Sequence, residues 1–441
     1  MDDFFSNGLV LAFNNVPVEV DDSVFLFWET LSLELQKKQM HLIVATTTEL
    51  PDASFFTIPI HYHIADLYHQ DANNIVLQNS NFIATEDILS SLSTQYHCSL
   101  SISHEIANCG IAFYSELITA IKPATIIGWQ SNDITNWILR NIALQRGIPF
   151  WSMERGFLKN TLMMDIGDNY LQSELLTSLM IENLYDKYVP EPELWEKLKS
   201  IVLDKHNLVG KYHSTAFKET VRFKAEYGIP EKSAIIAIFN HGPLGLAVKH
   251  SNSRYRAINK LKTDEVNEKI NAIIKQCIKR KIYITYQEHP LSLYDNTGIK
   301  LPNSPYIIKT EENIHTLLNA ADYYLFTQST IQYEAAFYQK PMGLLSRSVL
   351  GIHGGVYESD CYDDIDEFLN ALITDKDYEL HQQRSKKWLS FIYHYFLIKN
   401  DDENRGSESQ RVSNLLARYG LPVNIEIIYS LEKFIARWCN H

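Results

Sequence analysis

The sequence predicts an α/β protein made of two parallel-sheet domains. Two observations carry this. Short apolar runs rich in β-branched residues alternate with longer stretches of helical spacing, the pattern of βαβ units. The alternation also begins afresh after a polar, proline-containing stretch near mid-chain. Length agrees, since 441 residues make two or three domains at roughly 100–200 residues each, and two is the working number.

In the first half, strands are predicted over 8–13, 41–45, 124–129 and 148–153, with helical spacing between them, for example over 131–145. The stretch 190–228 contains Pro190, Pro192 and mixed charge and reads as helix-rich. Strands resume over 234–239, 281–286, 306–308 and 323–326, with helices predicted over 263–279 and 331–338. The division is therefore 1–211 and 212–385, both Rossmann-like and doubly wound, followed by 386–441. That last stretch, with Trp388 and the aromatic run 391–396, reads as helices crossing back over the first domain, and its polar run 399–409 as a loop. Doubly wound sheets bind ligands at the carboxyl ends of their strands, so the expectation is two halves facing a central cleft.

Composition narrows the function classes. Hydrophobic residues are 45% and charged residues 21% of the chain, which is ordinary globular usage. A formal net charge of -13, from 40 Lys plus Arg against 53 Asp plus Glu, argues against a nucleic-acid partner, whose phosphates need a basic surface. Five widely spaced cysteines with no C-x-x-C pair indicate neither a disulfide framework nor a zinc site, so a reducing compartment is expected. The acidic start Met1-Asp2-Asp3 lacks the basic flank of a signal peptide, and no apolar run reaches the ~18 residues of a membrane span. A soluble, cytoplasmic protein is expected.

Candidate chemistry gathers after the strands. Gln287-Glu288-His289-Pro290 follows the strand 281–286, so His289 projects at a strand end with Pro290 fixing the chain direction. An imidazole there can donate to a phosphate oxygen or serve as a structural hydrogen-bonder. Gln328, Ser329 and Thr330 follow the strand 323–326 and open the helix 331–338, where hydroxyls and free N–H groups make an anion site, an N-cap, or both. Glu334, one turn in, can accept from ribose hydroxyls or simply favour the helix dipole.

In the first half, Glu154, Arg155 and Gly156 come after the strand 148–153. A carboxylate there can be acid, base or nucleophile in transfer at an anomeric carbon. An ion pair between Glu154 and Arg155 that only orders the loop is the alternative. Asp165, Asp168 and Tyr170 are expected in a polar turn without calcium-loop spacing, and no metal site is assigned. Asn240, His241 and Gly242 follow the first strand of the second half, where doubly wound domains bring a loop to the ligand. Asn240 and His241 are the polar groups aimed at the cleft, and Gly242 marks a turn.

The order of these segments resembles that of bacterial capsule-polysaccharide synthesis proteins, including the retaining β-Kdo transferases. The matching residues are Glu154, Gly156, Phe157 and Leu158; Asp165 and Tyr170; His289 and Pro290; Ser329 and Thr330; and Glu334, Ala335, Lys340 and Pro341. The resemblance implies a GT-B fold with an acceptor-side first domain and a donor-binding second domain. It implies a CMP-activated donor, gripped by His289, Pro290, Gln328, Ser329, Thr330 and Glu334, whose sugar passes to a surface or capsular polysaccharide or a lipid-linked glycan. No cofactor or divalent metal is required, because His289 and the Ser329-Thr330 segment meet the charge of the leaving phosphate. Glu154 is then the catalytic carboxylate with His241 assisting, and Arg155, Gly156, Asp165, Asn240 and Gly242 are cleft or acceptor residues. Other polysaccharide-synthesis enzymes at the inner face of the cytoplasmic membrane are the expected protein partners.

The chain departs from that pattern at Arg155 and at Asn240-His241-Gly242, where acidic residues are expected. Two alternatives follow. One is a phosphoribosyltransferase-like enzyme using phosphoribosyl diphosphate, to which Arg155 would suit. The other is a non-catalytic glycan-binding or assembly protein.

Overall fold

The computed structural model describes residues 8–14, 23–47, 50, 53–60, 88–89, 92–93, 96, 98–129, 134–166, 179–204, 216–240, 263–287, 299–327, 329, 331–345, 350–351 and 353–417. The chain divides into two compact units: Met1–Gly156 with Asn160–Leu175 and Phe396–His441, and Phe157–Lys159 with Leu176–Tyr395. Each is built on a sheet covered by helices, so the α/β class holds.

The first sheet is assembled around β1 (Leu9–Asn14), which pairs in parallel with β2 (His41–Thr46) and β4 (Thr125–Trp129). β3 (Phe56–Pro59) extends the β2 side and β5 (Phe150–Arg155) the β4 side, both in parallel. Every residue of β1, β2 and β4 is buried, as continuous apolar strands require when helices cover both faces. Leu9, Leu11 and Phe13 face α2 (Leu100–Ile121) and α3 (Ile134–Gln145). Val10 and Ala12 face Phe27, Trp28 and Leu31 of α1 (Ser23–Gln36).

Two antiparallel strands complete this sheet. β6 (Thr161–Ile166) folds back on β5, and β13 (Leu397–Lys399) pairs with β6, giving the order β13-β6-β5-β4-β1-β2-β3. The sequence reading placed Asp165 in a turn and Glu154 and Arg155 after a strand. Asp165 instead lies within β6, and Glu154 and Arg155 are the last two residues of β5. The hairpin arises because Gly156 lets the chain close: a Cβ there would lie 2.2 Å from Thr161 Oγ1 and 2.8 Å from Leu397 Cδ2.

The tail also differs from expectation. The aromatic run ends the long helix Tyr378–Tyr395 and is followed by β13 rather than more helix. The run 399–409 is half helical, because Arg405–Leu416 forms the final helix of the described chain. Its Val412 and Leu416 join the core against α1, where a polar composition had hidden two apolar residues one turn apart.

The second unit contains α4 (Leu179–Lys187), α5 (Leu194–Leu203) and α6 (Thr220–Glu226), then a parallel sheet. Its strands are β7 (Ile235–Phe239), β8 (Tyr283–Gln287), β9 (Ile307–Lys309), β10 (Tyr323–Phe326), β11 (Met342–Leu344) and β12 (Tyr357–Glu358). Their order is β12-β11-β10-β7-β8-β9, which is doubly wound with its switch point between β7 and β10. α7 (Thr263–Lys279) turns Val266, Ile270, Ile273, Ile274 and Cys277 to the sheet, an apolar stripe at helical spacing, beside Phe368, Leu369 and Leu372 of α10 (Ile365–Thr374). The long helix Tyr378–Tyr395 is α11, and Arg405–Leu416 is α12.

Candidate functional site

Polar groups cluster in each unit. In the first, strand alternation sorts the hairpin residues by face. Phe150 packs with Ile138 and Leu139 of α3, whereas Trp151 and Met153 pack with Leu162 and Met164 on the other side. Ser152 and Glu154 therefore share Phe150's face. Asp165 pairs directly with Ser152, and Glu154 with Met163, so Glu154 and Asp165 are diagonal neighbours on that face. Ser152 and Asp165 are buried, Glu154 is half-buried and Arg155 is exposed.

The helix covering this face contributes buried polar residues that sequence reasoning missed, Asn136 and Arg140 among them. The Nδ2 of Asn136 donates to the Trp129 carbonyl. Asn136 lies over Gly128, the β4 partner of Ser152. A Cβ at Gly128 would sit 2.7 Å from Asn136 Oδ1 and 2.4 Å from Phe150 Cζ, so glycine makes room for the amide. Arg140 follows one turn later on the same stripe. The signal was legible in principle: Asn136 and Arg140 stand four apart within an otherwise apolar stripe, Ile134, Ile138, Ile142.

In the second unit the carboxyl ends of β7 and β10 flank the switch point. Asn240 follows β7 and donates from Nδ2 to the buried Tyr286 hydroxyl at 3.0 Å. Thr327 follows β10, is fully buried, and continues the ladder by donating to the Phe239 carbonyl at 3.4 Å. Ser329 then caps α9 (Ile331–Ala336), its Oγ accepting from the Ile331 N–H at 3.4 Å and its carbonyl from Gln332 N–H at 3.2 Å. The helix stops at Ala336, two residues short of the expected Tyr338, because 337–339 turn with Gln339 in the left-handed region. His241, Gly242, His289, Pro290, Gln328 and Thr330 lie outside the described residues, as do Asp168 and Tyr170.

Glu334, in the first turn of α9, is held by a partner that the sequence reading did not single out. Its Oε2 lies 3.1 Å from Nε2 of His315, while Nδ1 of His315 lies 2.9 Å from the Tyr338 hydroxyl. His315 is buried near the start of α8 (Ile314–Ala320), whose N-cap Asn313 accepts the His315 N–H at 2.9 Å. Burial, and then the Glu334 charge, push the Tyr338 hydroxyl well above the usual phenol range, so it remains a proton donor. Glu334 keeps 32% of its side chain exposed and so can still meet a ligand. The spacing of Glu334 and Tyr338, four apart, was the available clue that one partner bridges both.

A second network tightens the neighbouring strand ends. Gln287 at the end of β8 donates to the Glu312 carbonyl at 3.0 Å. Glu312 is buried, and its Oε1 accepts from Lys218 Nζ at 2.6 Å and the Tyr227 hydroxyl at 3.0 Å.

Two segments of the resemblance have structural work. Phe157 stacks on Tyr333 with ring centroids 5.6 Å apart, beside Phe337, which stacks on Trp195 at 4.6 Å. Lys340 donates to the carbonyls of Leu318, Asn319 and Ala321 at 3.1, 2.7 and 2.5 Å, closing the carboxyl end of α8. Burial lowers its ammonium to about 8, partly offset by the Asp322 charge.

Among the described residues no group of three or more His, Cys, Asp or Glu could hold a metal ion, and no helix is long and apolar enough to cross a membrane. No family model matches the chain, and no curated protein is similar to it. Solved structures are similar at low identity. A β-Kdo 2,4 transferase, KpsC of Thermosulfurimonas dismutans, is 16% identical over 67% of this chain and 87% of that one, with a TM-score of 0.44. The UDP-GlcNAc 2-epimerase of Neisseria meningitidis is 13% identical over 93% and 99%, with a TM-score of 0.37. MnaA of S. aureus, solved with UDP, is 14% identical over 93% and 96%, with a TM-score of 0.38.

Proposed function

We propose that this chain is a glycosyltransferase whose second unit binds an activated sugar donor through its nucleoside and phosphate. The observation that carries the reading is the Glu334 carboxylate, fixed by His315 in the helix that follows β10, the strand bordering the switch point. A partly exposed carboxylate so held is suited to accept hydrogen bonds from ribose hydroxyls. His289, Gln328, Ser329 and Thr330 are assigned to the donor phosphate, whose departure develops charge that such donors stabilise. In the first unit Glu154, supported by Asp165 on the same face, is assigned the acid, base or nucleophile role at the anomeric carbon, with His241 assisting. The donor we favour is a CMP-activated sugar such as Kdo, transferred with retention to a growing surface polysaccharide or lipid-linked glycan on the cytoplasmic side.

Calorimetric titration with CMP, UMP, GDP and phosphoribosyl diphosphate, repeated with Glu334→Ala and His289→Ala, tests the proposal. Selective CMP binding lost in both variants supports it. The exposed Arg155 at the end of β5 favours a second reading, a phosphoribosyl diphosphate enzyme, and selective binding of that compound would replace the first. Binding of none of the four would leave a non-catalytic glycan-binding role.

A further inference from the structure

We propose that His315 is a positioning residue that sets the orientation of Glu334 for the donor nucleoside, with Tyr338 fixing the histidine tautomer. The proposal rests on the reading of Glu334 as the ribose acceptor.

In the neutral form of the ring, the hydrogen-bond partners fix the direction. His315 is buried with both ring nitrogens engaged, Nδ1 by the Tyr338 hydroxyl at 2.9 Å and Nε2 by Glu334 Oε2 at 3.1 Å. A neutral imidazole has one donor and one acceptor nitrogen. Facing a carboxylate, Nε2 must carry the hydrogen, since a lone pair there would oppose the charge. Nδ1 is then the acceptor and Tyr338 the donor. The chain of bonds runs from Tyr338 O–H to His315 Nδ1, and from His315 Nε2–H to Glu334 Oε2.

The helix that carries the middle of that chain is anchored at both ends. His315 is seated by the Asn313 cap, and the carboxyl end of its helix is closed by Lys340. Glu334 in α9 and Tyr338 in the turn that follows it meet the ring at its two different nitrogens. The His315 contact at Oε2 restrains the carboxylate before any ligand arrives, while 32% of the Glu334 side chain stays exposed. Preorganisation of this kind raises affinity for groups that match the fixed orientation and adds nothing for analogues that lack them.

The test is calorimetry on the full chain, using whichever of CMP, UMP and GDP binds best, beside its 2′-deoxy and 3′-deoxy analogues. A hydrogen bond to a charged group predicts about tenfold or greater preference for the ribonucleotide in the wild type. His315→Leu should bring that preference to within about twofold while leaving affinity for the deoxy analogues unchanged. His315→Gln, whose amide can donate to Oε2, should retain most of it, and Tyr338→Phe should give an intermediate value. A folded His315→Leu protein that discriminates like the wild type overturns the positioning role. So does a folded His315→Gln protein whose ribonucleotide preference falls to within about twofold, and that variant decides the matter if the leucine variant does not fold. Equal wild-type affinity for ribo and deoxy forms overturns the reading of Glu334 itself, and binding of none of the three overturns the donor proposal.

Discussion

Lys340→Met tests whether the lysine at the carboxyl end of α8 is a helix cap. Its ammonium donates to three carbonyls at 3.1, 2.7 and 2.5 Å. Two of those acceptors keep another donor, since the Tyr324 hydroxyl reaches the Leu318 carbonyl and Thr220 Oγ1 reaches that of Asn319 at 3.1 Å. Methionine fills the same space without donors. At about 1 kcal/mol net for each hydrogen bond, ~3 kcal/mol is lost, and relief of the buried charge returns part of it, leaving a net cost of ~2 kcal/mol at neutral pH. The pH dependence is the sharper readout. The ammonium is lowered from 10.5 to about 8, so between those values the unfolded chain holds the proton that the folded chain has released. Wild-type stability therefore rises with pH across this window and is lost again as pH falls towards 8. The shift bounds the effect at ~3 kcal/mol, and solvent reaching the partly exposed group reduces it to ~1–2 kcal/mol. Urea unfolding of both proteins at pH 7, 8.5 and 10 checks this, because other titrating groups cancel in the difference. A wild-type minus variant gap that stays constant across the three pH values refutes the buried-charge argument. A gap below ~0.5 kcal/mol at pH 7 refutes the cap, since it is less than one hydrogen bond.

Gly128→Ala should cost ~2–3 kcal/mol, because the added Cβ meets Phe150 and Asn136 in a strand paired on both sides; thermal melts read the loss, and an unchanged midpoint would contradict the geometry. Phe157→Ala removes a buried ring stacked on Tyr333 and should destabilise by ~2–4 kcal/mol in chemical unfolding, so a loss under 1 kcal/mol would show the stack to be incidental. For the proposed transfer reaction, Glu154→Gln should lower turnover ~100-fold or more with affinity for the proposed donor intact. Should Glu154→Gln keep full turnover while His289→Ala abolishes it, the catalytic assignment falls and the donor assignment stands. Asp165→Asn should give a smaller loss of turnover than Glu154→Gln, and the reverse ranking would exchange their roles.

The interior strands were readable because burial on both faces demands unbroken apolar runs, as in Leu9–Asn14 and Ile235–Phe239. Short strands carried no such run. β11, β12 and β13 hold only two or three residues, and β6 includes the acidic Asp165, so pattern reading left them as turns or tail. Glu334 was legible as a helix-start carboxylate, whereas His315 was not, because its relation to Glu334 is tertiary. Two residues of the hairpin, Glu154 and Arg155, were read as loop since charge at a strand end looks the same as charge beyond it.

The first unit is discontinuous in sequence, and this governs the order in which it can be built. Its strand β6 gains its outer partner only at Leu397–Lys399, and α1 receives Val412 and Leu416 only later still. A nascent chain emerging N-terminus first must hold an unpaired strand edge and a bare apolar helix face while more than two hundred intervening residues are synthesised. Those intervening residues can fold as their own unit in the meantime. The later segment carrying β13 and α12 then acts as a latch, and until it closes, the hairpin carrying Glu154 and Asp165 lacks the strand that flanks it.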